Sequence, residues 1–228
     1  MIGSIVSPEL RQRVRGLATP IAVGFGRLGL TPNHLTLIGF GIAIVAAVAA
    51  GMQAWLVAGF LLILGGVFDL LDGALARATG TASKLGAFMD SVFDRAGEGV
   101  VYVGIAAGSA AAGFDAGSIL AAAAMAAAFM VSYVRAKSES LGFTPGSRMA
   151  AVGLAPREVR IIILTIGLLG AGALGGVQSF GCGIILCADP VGGEGRPVLA
   201  IALGLITILA TITAIQRIVH VIRQSPQE

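Results

Sequence analysis

DLLDGALARATGTASKLGAFMDSVFD, residues 69–94, sets four carboxylates into two runs that otherwise read as membrane-spanning helices. Asp69 and Asp72 stand three residues apart, and Asp90 and Asp94 four apart, so on helices each pair shares one face. Between the pairs, Arg77-Ala-Thr-Gly-Thr-Ala-Ser-Lys84 is polar and glycine-containing, enough to turn the chain. Folded there as an antiparallel helical hairpin, the pairs come level, each about two turns from the loop at 1.5 Å per residue. One carboxylate near a bilayer centre costs on the order of 3 kcal/mol, so four unpaired ones would cost about 10–14 kcal/mol. Something positive must sit among them. Four hard oxygen donors converging on one point suit Mg²⁺ or Mn²⁺.

The rest of the composition agrees with a membrane setting. Of 228 residues, 56% are hydrophobic and 12% charged, whereas a soluble domain carries about 25% charged residues. The fold class expected is all-α integral membrane, one domain over 1–228. It comprises a juxtamembrane helix at 7–28 and a six-helix bundle at 33–221. The net charge of +3 needs no nucleic-acid partner, because the basic residues sit at membrane edges and not in one patch. No N-terminal signal peptide is read, since Arg11, Arg13, Arg15 and Pro20 interrupt the first apolar stretch.

Residues 7–28 mix basic and apolar residues with modest helical periodicity. They read as an amphipathic helix in the membrane interface, broken near Pro20, or as a solvated leader. Thr31 is a candidate N-cap and Pro32 a good first helical residue. Spans follow at 33–52, 55–77, 84–112, 117–141, 156–178 and 197–221, each near the ~20 residues a bilayer needs. Gly104-x-x-x-Gly108 and Ala171-x-x-x-Gly175 fit close helix packing, within one chain or along the seam of an expected homodimer. Trp55 and Tyr133 read as interfacial or core aromatics. Cys182 and Cys187 can form a disulfide or remain thiols.

With loops placed by these spans, fourteen of the fifteen lysines and arginines fall on or near one side, and only Arg196 falls on the other. Positive-inside logic puts both termini and the 69–94 loop in the cytoplasm, with the chain in the cell membrane.

The full spacing also resembles a family. Asp69-x-x-Asp72-Gly73-x-x-Ala76-Arg77 followed by Gly86-x-x-x-Asp90-x-x-x-Asp94 is similar to the CDP-alcohol phosphotransferase motif at all eight defining positions. The resemblance implies that an alcohol hydroxyl attacks the β-phosphorus of a CDP-linked lipid and that CMP leaves. It implies Asp69, Asp72, Asp90 and Asp94 as ligands of Mg²⁺ or Mn²⁺, two ions in all, with Asp94 also the general base. It implies contacts to the cytidine diphosphate from Gly73, Ala76, Arg77 and Ser83, and from Asn33 and Thr36 at the opening of the first span. Small residues let a nucleotide approach the helix backbone, and Arg77 can pair with phosphate.

Arg135 closes the fourth span, Arg157 and Arg160 open the fifth, and Arg217 lies late in the sixth. Each alone reads as a cation snorkelling to the membrane edge. Together they suggest an acceptor that itself carries a phosphate. The sequences Ser132-Tyr-Val-Arg135-Ala136, Arg157 with Arg160, and Gln216-Arg217 resemble the branch that makes phosphatidylinositol phosphate or its archaeal-lipid counterpart. That resemblance implies inositol 1-phosphate as acceptor, held by Arg135, Arg157, Arg160 and Arg217, with which of Arg157 and Arg160 faces the pocket left open. Two other readings stand beside it: glycerol 3-phosphate as acceptor, and an ion transporter using the intramembrane carboxylates.

Overall fold

Two residues make the turn between the acidic runs. Gly80, at φ +66°, ends the first helix with its N–H on the Ala76 carbonyl, and Ser83 Oγ accepts the Gly86 N–H at 3.0 Å to begin the second. The first helix runs on to Thr79, so Arg77 is helical and the turn itself is only residues 80–83. The computed structural model describes residues 8–143, 152–177 and 193–224, with side chains from residue 18 onward.

Among the described residues the chain is all helix: α1 (Pro8–Arg27), α2 (Pro32–Gly51), α3 (Trp55–Thr79), α4 (Lys84–Ala111), α5 (Asp115–Ser140), α6 (Arg157–Ala173) and α7 (Gly195–Gln224). Thr31 caps α2 as expected, and His34 completes a reciprocal capping box at 3.3 Å in each direction, with Pro32 in the first turn. The helices close a ring in the order α3, α2, α4, α5, α7, α6 and back to α3, while α1 lies on the outer side of α3.

Four helices, α2, α3, α5 and α7, are long and apolar enough to cross a membrane by length and composition. Two of the six expected spans fall short of that standard for different reasons. α4 has 28 residues but carries Asp90, Asp94, Arg95 and Glu98 between its start and its middle turn, and α6 has only 17 residues. The expected break at Pro20 is not present: α1 continues through it. A proline in a helix forfeits one backbone hydrogen bond without ending the helix where packing holds both sides. Here Ala22 is buried with Leu35, Leu71, Ala74 and Leu75, and Phe25 packs on the same cluster.

Small residues bring α2 and α4 together. A Cβ at Gly104 or Gly108 would run into the backbone carbonyls of Ala47 or Ala50. That glycine pair is therefore filled from within the chain, and any seam between two copies uses other faces. Gly175 is not part of a packing face at all. α6 ends at Ala173, and Gly175 turns the chain at φ +81°. Trp55, Tyr102, Ile105, Leu164, Leu168, Leu199, Leu203 and Ile206 fill the main core, whereas Tyr133 is exposed.

Arginines tie the two ends of the ring. Arg196 donates to Val177 O at 2.7 Å and Ala112 O at 3.0 Å and lies over the Phe114 ring. At the other end, Arg217 donates to Val131 O at 2.8 Å and Val152 O at 3.0 Å, and Thr213 Oγ1 accepts the Leu154 and Ala155 N–H groups. The residues before α6 are thereby fixed on α7. Cys182 and Cys187 lie outside the described residues.

Replacing Gly104 by Val should cost at least about 2 kcal/mol, because the neighbour it strikes is backbone and cannot rotate away. A clearly lower thermal midpoint in detergent is the expected outcome. An equally large substitution at Gly41, where an added Cβ meets nothing within 4 Å, should leave the midpoint nearly unchanged.

Candidate active site

α3 and α4 carry the carboxylates but hardly touch one another; both rest on α2. The gap between them is the site. From α3 come Asp69 and Asp72 and from α4 comes Asp90, and one carboxylate oxygen of each lies within 4.8 Å of the others. Three like charges this close repel strongly in a partly buried setting, and only a cation among them reverses the sign. The donor set is all oxygen and all hard, which fits Mg²⁺ or Mn²⁺ and fits zinc or copper poorly.

Thr36 on α2 supports this cluster. Its hydroxyl has one proton, and the 2.6 Å contact to Asp72 Oδ2 is shorter than its 3.2 Å contact to Pro32 O. The bond fixes the carboxylate orientation in a residue only 6% exposed.

Asp94 was expected as a fourth ligand, but it stands apart from the three-carboxylate group. Its Oδ2 is held by Arg157 Nη1 at 3.0 Å and by Arg95 Nη1 at 3.3 Å. The same Arg157 nitrogen reaches Asp69 Oδ2 at 3.1 Å, so one guanidinium bridges the two acidic helices from α6. Arg157 Nε is buried with no hydrogen-bond partner among the described residues.

These groups line the polar end of a cavity of about 490 Å³. Thr36, Asp69, Asp72, Asp94 and Arg157 lie there, while Phe40, Leu62, Ile63, Phe93, Ile162 and Ile166 make the rest of the wall mainly apolar, with Glu98 and Glu158 also on it. Charge at one end and hydrocarbon at the other suit a ligand with the same division.

The residues expected at the cytidine diphosphate gather around the same gap. A Cβ on Gly86 would lie 3.2 Å from Ser83 Oγ and 3.4 Å from Asn33 Oδ1, so the starts of α2 and α4 meet there. A Cβ on Gly73 would lie 3.1 Å from Arg77 Nη1, so the Arg77 guanidinium folds back across the glycine. Ala76 is half-buried on the same helix.

The four acceptor arginines divide. Arg157 faces the cavity. Arg160 does not: its guanidinium takes Glu98 at 2.8 and 2.7 Å and Ala155 O at 3.0 Å, and it is 1% exposed. Arg217 is committed to two backbone carbonyls, and Arg135 pairs along its own helix with Glu139 at 2.9 Å. Glu98 is the residue the sequence reading missed. The signal was there, because Asp90, Asp94 and Glu98 continue one four-residue spacing down a single face of α4.

Taken together, the ring of apolar helices sets three carboxylates able to hold a divalent cation beside a cavity lined by both charged and apolar side chains, an arrangement suited to a metal-dependent membrane enzyme. The family model described as CDP-alcohol phosphatidyltransferase matches residues 29–223, and the chain belongs to that family of transferases. An archaetidylinositol phosphate synthase of Pyrococcus horikoshii is 38% identical over 166 residues, covering 73% of this chain and 81% of that protein. A phosphatidylinositol phosphate synthase of Streptomyces avermitilis is 33% identical over 213 residues, covering 92% and 79%. Among solved structures, the phosphatidylinositol phosphate synthase of Mycobacterium tuberculosis with CDP-DAG bound superposes with a TM-score of 0.73 at 26% identity, over 90% of this chain and 92% of that one. The same enzyme in complex with manganese and citrate gives 0.73 over 90% and 88%. Family membership removes the transporter reading.

Manganese titration followed by electron paramagnetic resonance should show binding to the intact protein and its loss in Asp72→Asn and Asp90→Asn. Thr36→Val keeps all three carboxylates but frees Asp72, and should weaken binding by about tenfold to a hundredfold.

Proposed function

We propose that this chain transfers the phosphatidyl-type group of a CDP-linked lipid to inositol 1-phosphate and releases CMP. The observation that carries the reading is the meeting of the three-carboxylate cluster, Asp94 and Arg157 at the charged end of a mainly apolar cavity. The charged end suits a pyrophosphate and the apolar walls suit lipid chains. The choice of acceptor is supported by the names of the relatives, which are inositol phosphate lipid synthases.

Asp94 takes the proton of the acceptor hydroxyl, and the freed oxygen bonds to the β-phosphorus. The bond from that phosphorus to the oxygen shared with the α-phosphate breaks, and CMP leaves with the electron pair. Asp69, Asp72 and Asp90 would hold Mg²⁺ or Mn²⁺, two ions in this proposal, which when bound neutralise the pyrophosphate and stabilise the attacking and leaving oxygens. Asn33, Thr36, Gly73, Ala76, Arg77 and Ser83 receive the cytidine diphosphate, with Arg77 laid across Gly73 as a phosphate partner. Arg157, which lines the cavity, pairs with the acceptor phosphate, and Arg135 and Arg217 join it only by giving up Glu139 and the Val131 and Val152 carbonyls.

In this reading α2 to α7 all cross the cell membrane, with both termini and the 80–83 turn in the cytoplasm, where cytidine nucleotides are found. The one-sided distribution of lysine and arginine supports it. α6 extends about 25 Å at 1.5 Å per residue, so it spans with its basic first turn at the interface.

Purified protein given CDP-diacylglycerol or its ether-linked counterpart should release CMP with inositol 1-phosphate and far less with inositol, serine or glycerol 3-phosphate. Arg157→Ala should raise the acceptor KM by about tenfold or more, the worth of one charge-assisted hydrogen bond, and barely change that of the CDP-lipid. Equal turnover with free inositol would overturn the acceptor. For topology, a cysteine placed at Thr79 should resist an impermeant thiol reagent in intact cells and react once the membrane is opened.

A further inference from the structure

One charged pair in the ring makes no hydrogen bond to the reacting groups, although Glu98 reaches the cavity wall. Glu98 and Arg160 are 3% and 1% exposed, and their guanidinium–carboxylate contact is two-pronged, at 2.8 and 2.7 Å. They sit on helices that are not neighbours: α4 packs on α2 and α5, and α6 packs on α3 and α7. The pair therefore crosses the inside of the ring. Arg160 also donates to Ala155 O at 3.0 Å, which ties the backbone just before α6 to the same point.

Four residues before Glu98 on α4 is Asp94, and three residues before Arg160 on α6 is Arg157, whose Nη1 holds Asp94 at 3.0 Å. Those spacings are one helical turn on each helix. The two helices thus face each other with two rungs. The outer rung joins Asp94 to Arg157 beside the three-carboxylate cluster, and the inner rung joins Glu98 to Arg160 one turn deeper.

The rungs have opposite characters. Asp94 has a side-chain exposure of 15% and Arg157 of 26%, and Arg157 divides one nitrogen between two carboxylates. A reacting aspartate and a phosphate-binding arginine must exchange partners in every cycle. The inner pair is enclosed and has its charges and geometry satisfied, so nothing draws it apart. A buried ion pair adds little net stability over an apolar replacement, but it specifies one register between the elements it joins. Sliding α6 by one residue against α4 would break both prongs and turn Arg157 away from Asp94.

We propose that Glu98 and Arg160 are positioning residues: their buried pair sets the register of α6 on α4 and so holds Arg157 on Asp94. The inference rests on the transferase reading above. It removes Arg160 from the acceptor contacts and gives Glu98, so far without a role, a place in the mechanism.

A double-mutant cycle tests it, using full-length protein purified as a single species in detergent. Glu98→Leu and Arg160→Met each leave one buried partner uncompensated. Either should lower kcat/KM for inositol 1-phosphate by about a hundredfold, the scale of a small misplacement at a reacting centre. Manganese affinity should change by far less than kcat/KM, because its three carboxylates stand on α3 and α4 and α6 touches them only through Arg157 on Asp69. The apolar pair Glu98→Leu with Arg160→Met removes the tie without leaving a charge unpaired, and should stay as low in kcat/KM as either single variant, no lower, because one contact has been lost and not two. Should a single variant fail to fold, Arg160→Lys serves in its place; it keeps the charge and loses the second tie, and should fall between parent and Arg160→Met.

Three results would overturn the proposal. One is folded single variants with parental kcat/KM, which would make the pair a stability element only. Another is a double variant with parental kcat/KM, which would mean that an uncompensated charge, and not the register, lowered the single variants. The third is an equal loss of manganese binding, which would mean a general collapse of the site. If the parent protein turns over glycerol 3-phosphate and not inositol 1-phosphate, the acceptor reading fails alone, and the same cycle is read with that acceptor.

Discussion

Carboxylates inside a helical bundle have to be neutralised where they stand, and that constraint governs this fold. α3 and α4 carry five acids into the ring: Asp69, Asp72, Asp90, Asp94 and Glu98. The positive charge that answers three of them directly, Asp69, Asp94 and Glu98, comes from the first turn of α6, and that turn is held in place from the opposite side of the ring. Thr213 binds the backbone before it and Arg217 binds Val152, so α7 aims α6 at α4. Asp72 and Asp90 have no such arginine among the described residues, and with Asp69 they form the donor set that asks for a metal ion. Structure and chemistry thus share one electrostatic account.

Much of this was legible in the sequence because membrane helices announce themselves. The spacing of Asp69, Asp72, Asp90 and Asp94 gave the faces, and the polar stretch around Gly80 gave the turn; the observed helices start and stop within a few residues of the expected spans. Thr31 and Pro32 marked the start of α2 for a local reason, capping chemistry, and local chemistry reads reliably. Pro20 misled, because its cost is local while the packing of Ala22 and Phe25 that sustains α1 is not. Gly175 misled similarly: a small residue at the right spacing is a packing face only if the helix is still there.

The arginines show a deeper limit. An arginine that grips backbone carbonyls and one that grips a phosphate use the same donors, and both occur near the ends of membrane helices. Arg157, Arg160 and Arg217 are alike in sequence context, and only three-dimensional placement separates them. One faces the cavity, one is locked to Glu98, and one braces the segment before α6. Glu98 was hidden by the converse problem. An acid at the next turn of an already acidic face looks like more of the same, and its partner lies 62 residues away in the chain.

α2 carries no charge at all, yet it lies beneath both helices that do. On one side Gly39 admits Gly65 and Phe68 of α3, and on the other Ala43, Ala47 and Ala50 receive Gly97, Gly104 and Gly108 of α4. The distance between the two groups of carboxylates is therefore written in the bulk of α2 side chains that never meet a substrate. α2 works as a shim: a methyl group more or less on its surface would change the bite of the aspartates on either side while leaving every one of them in place.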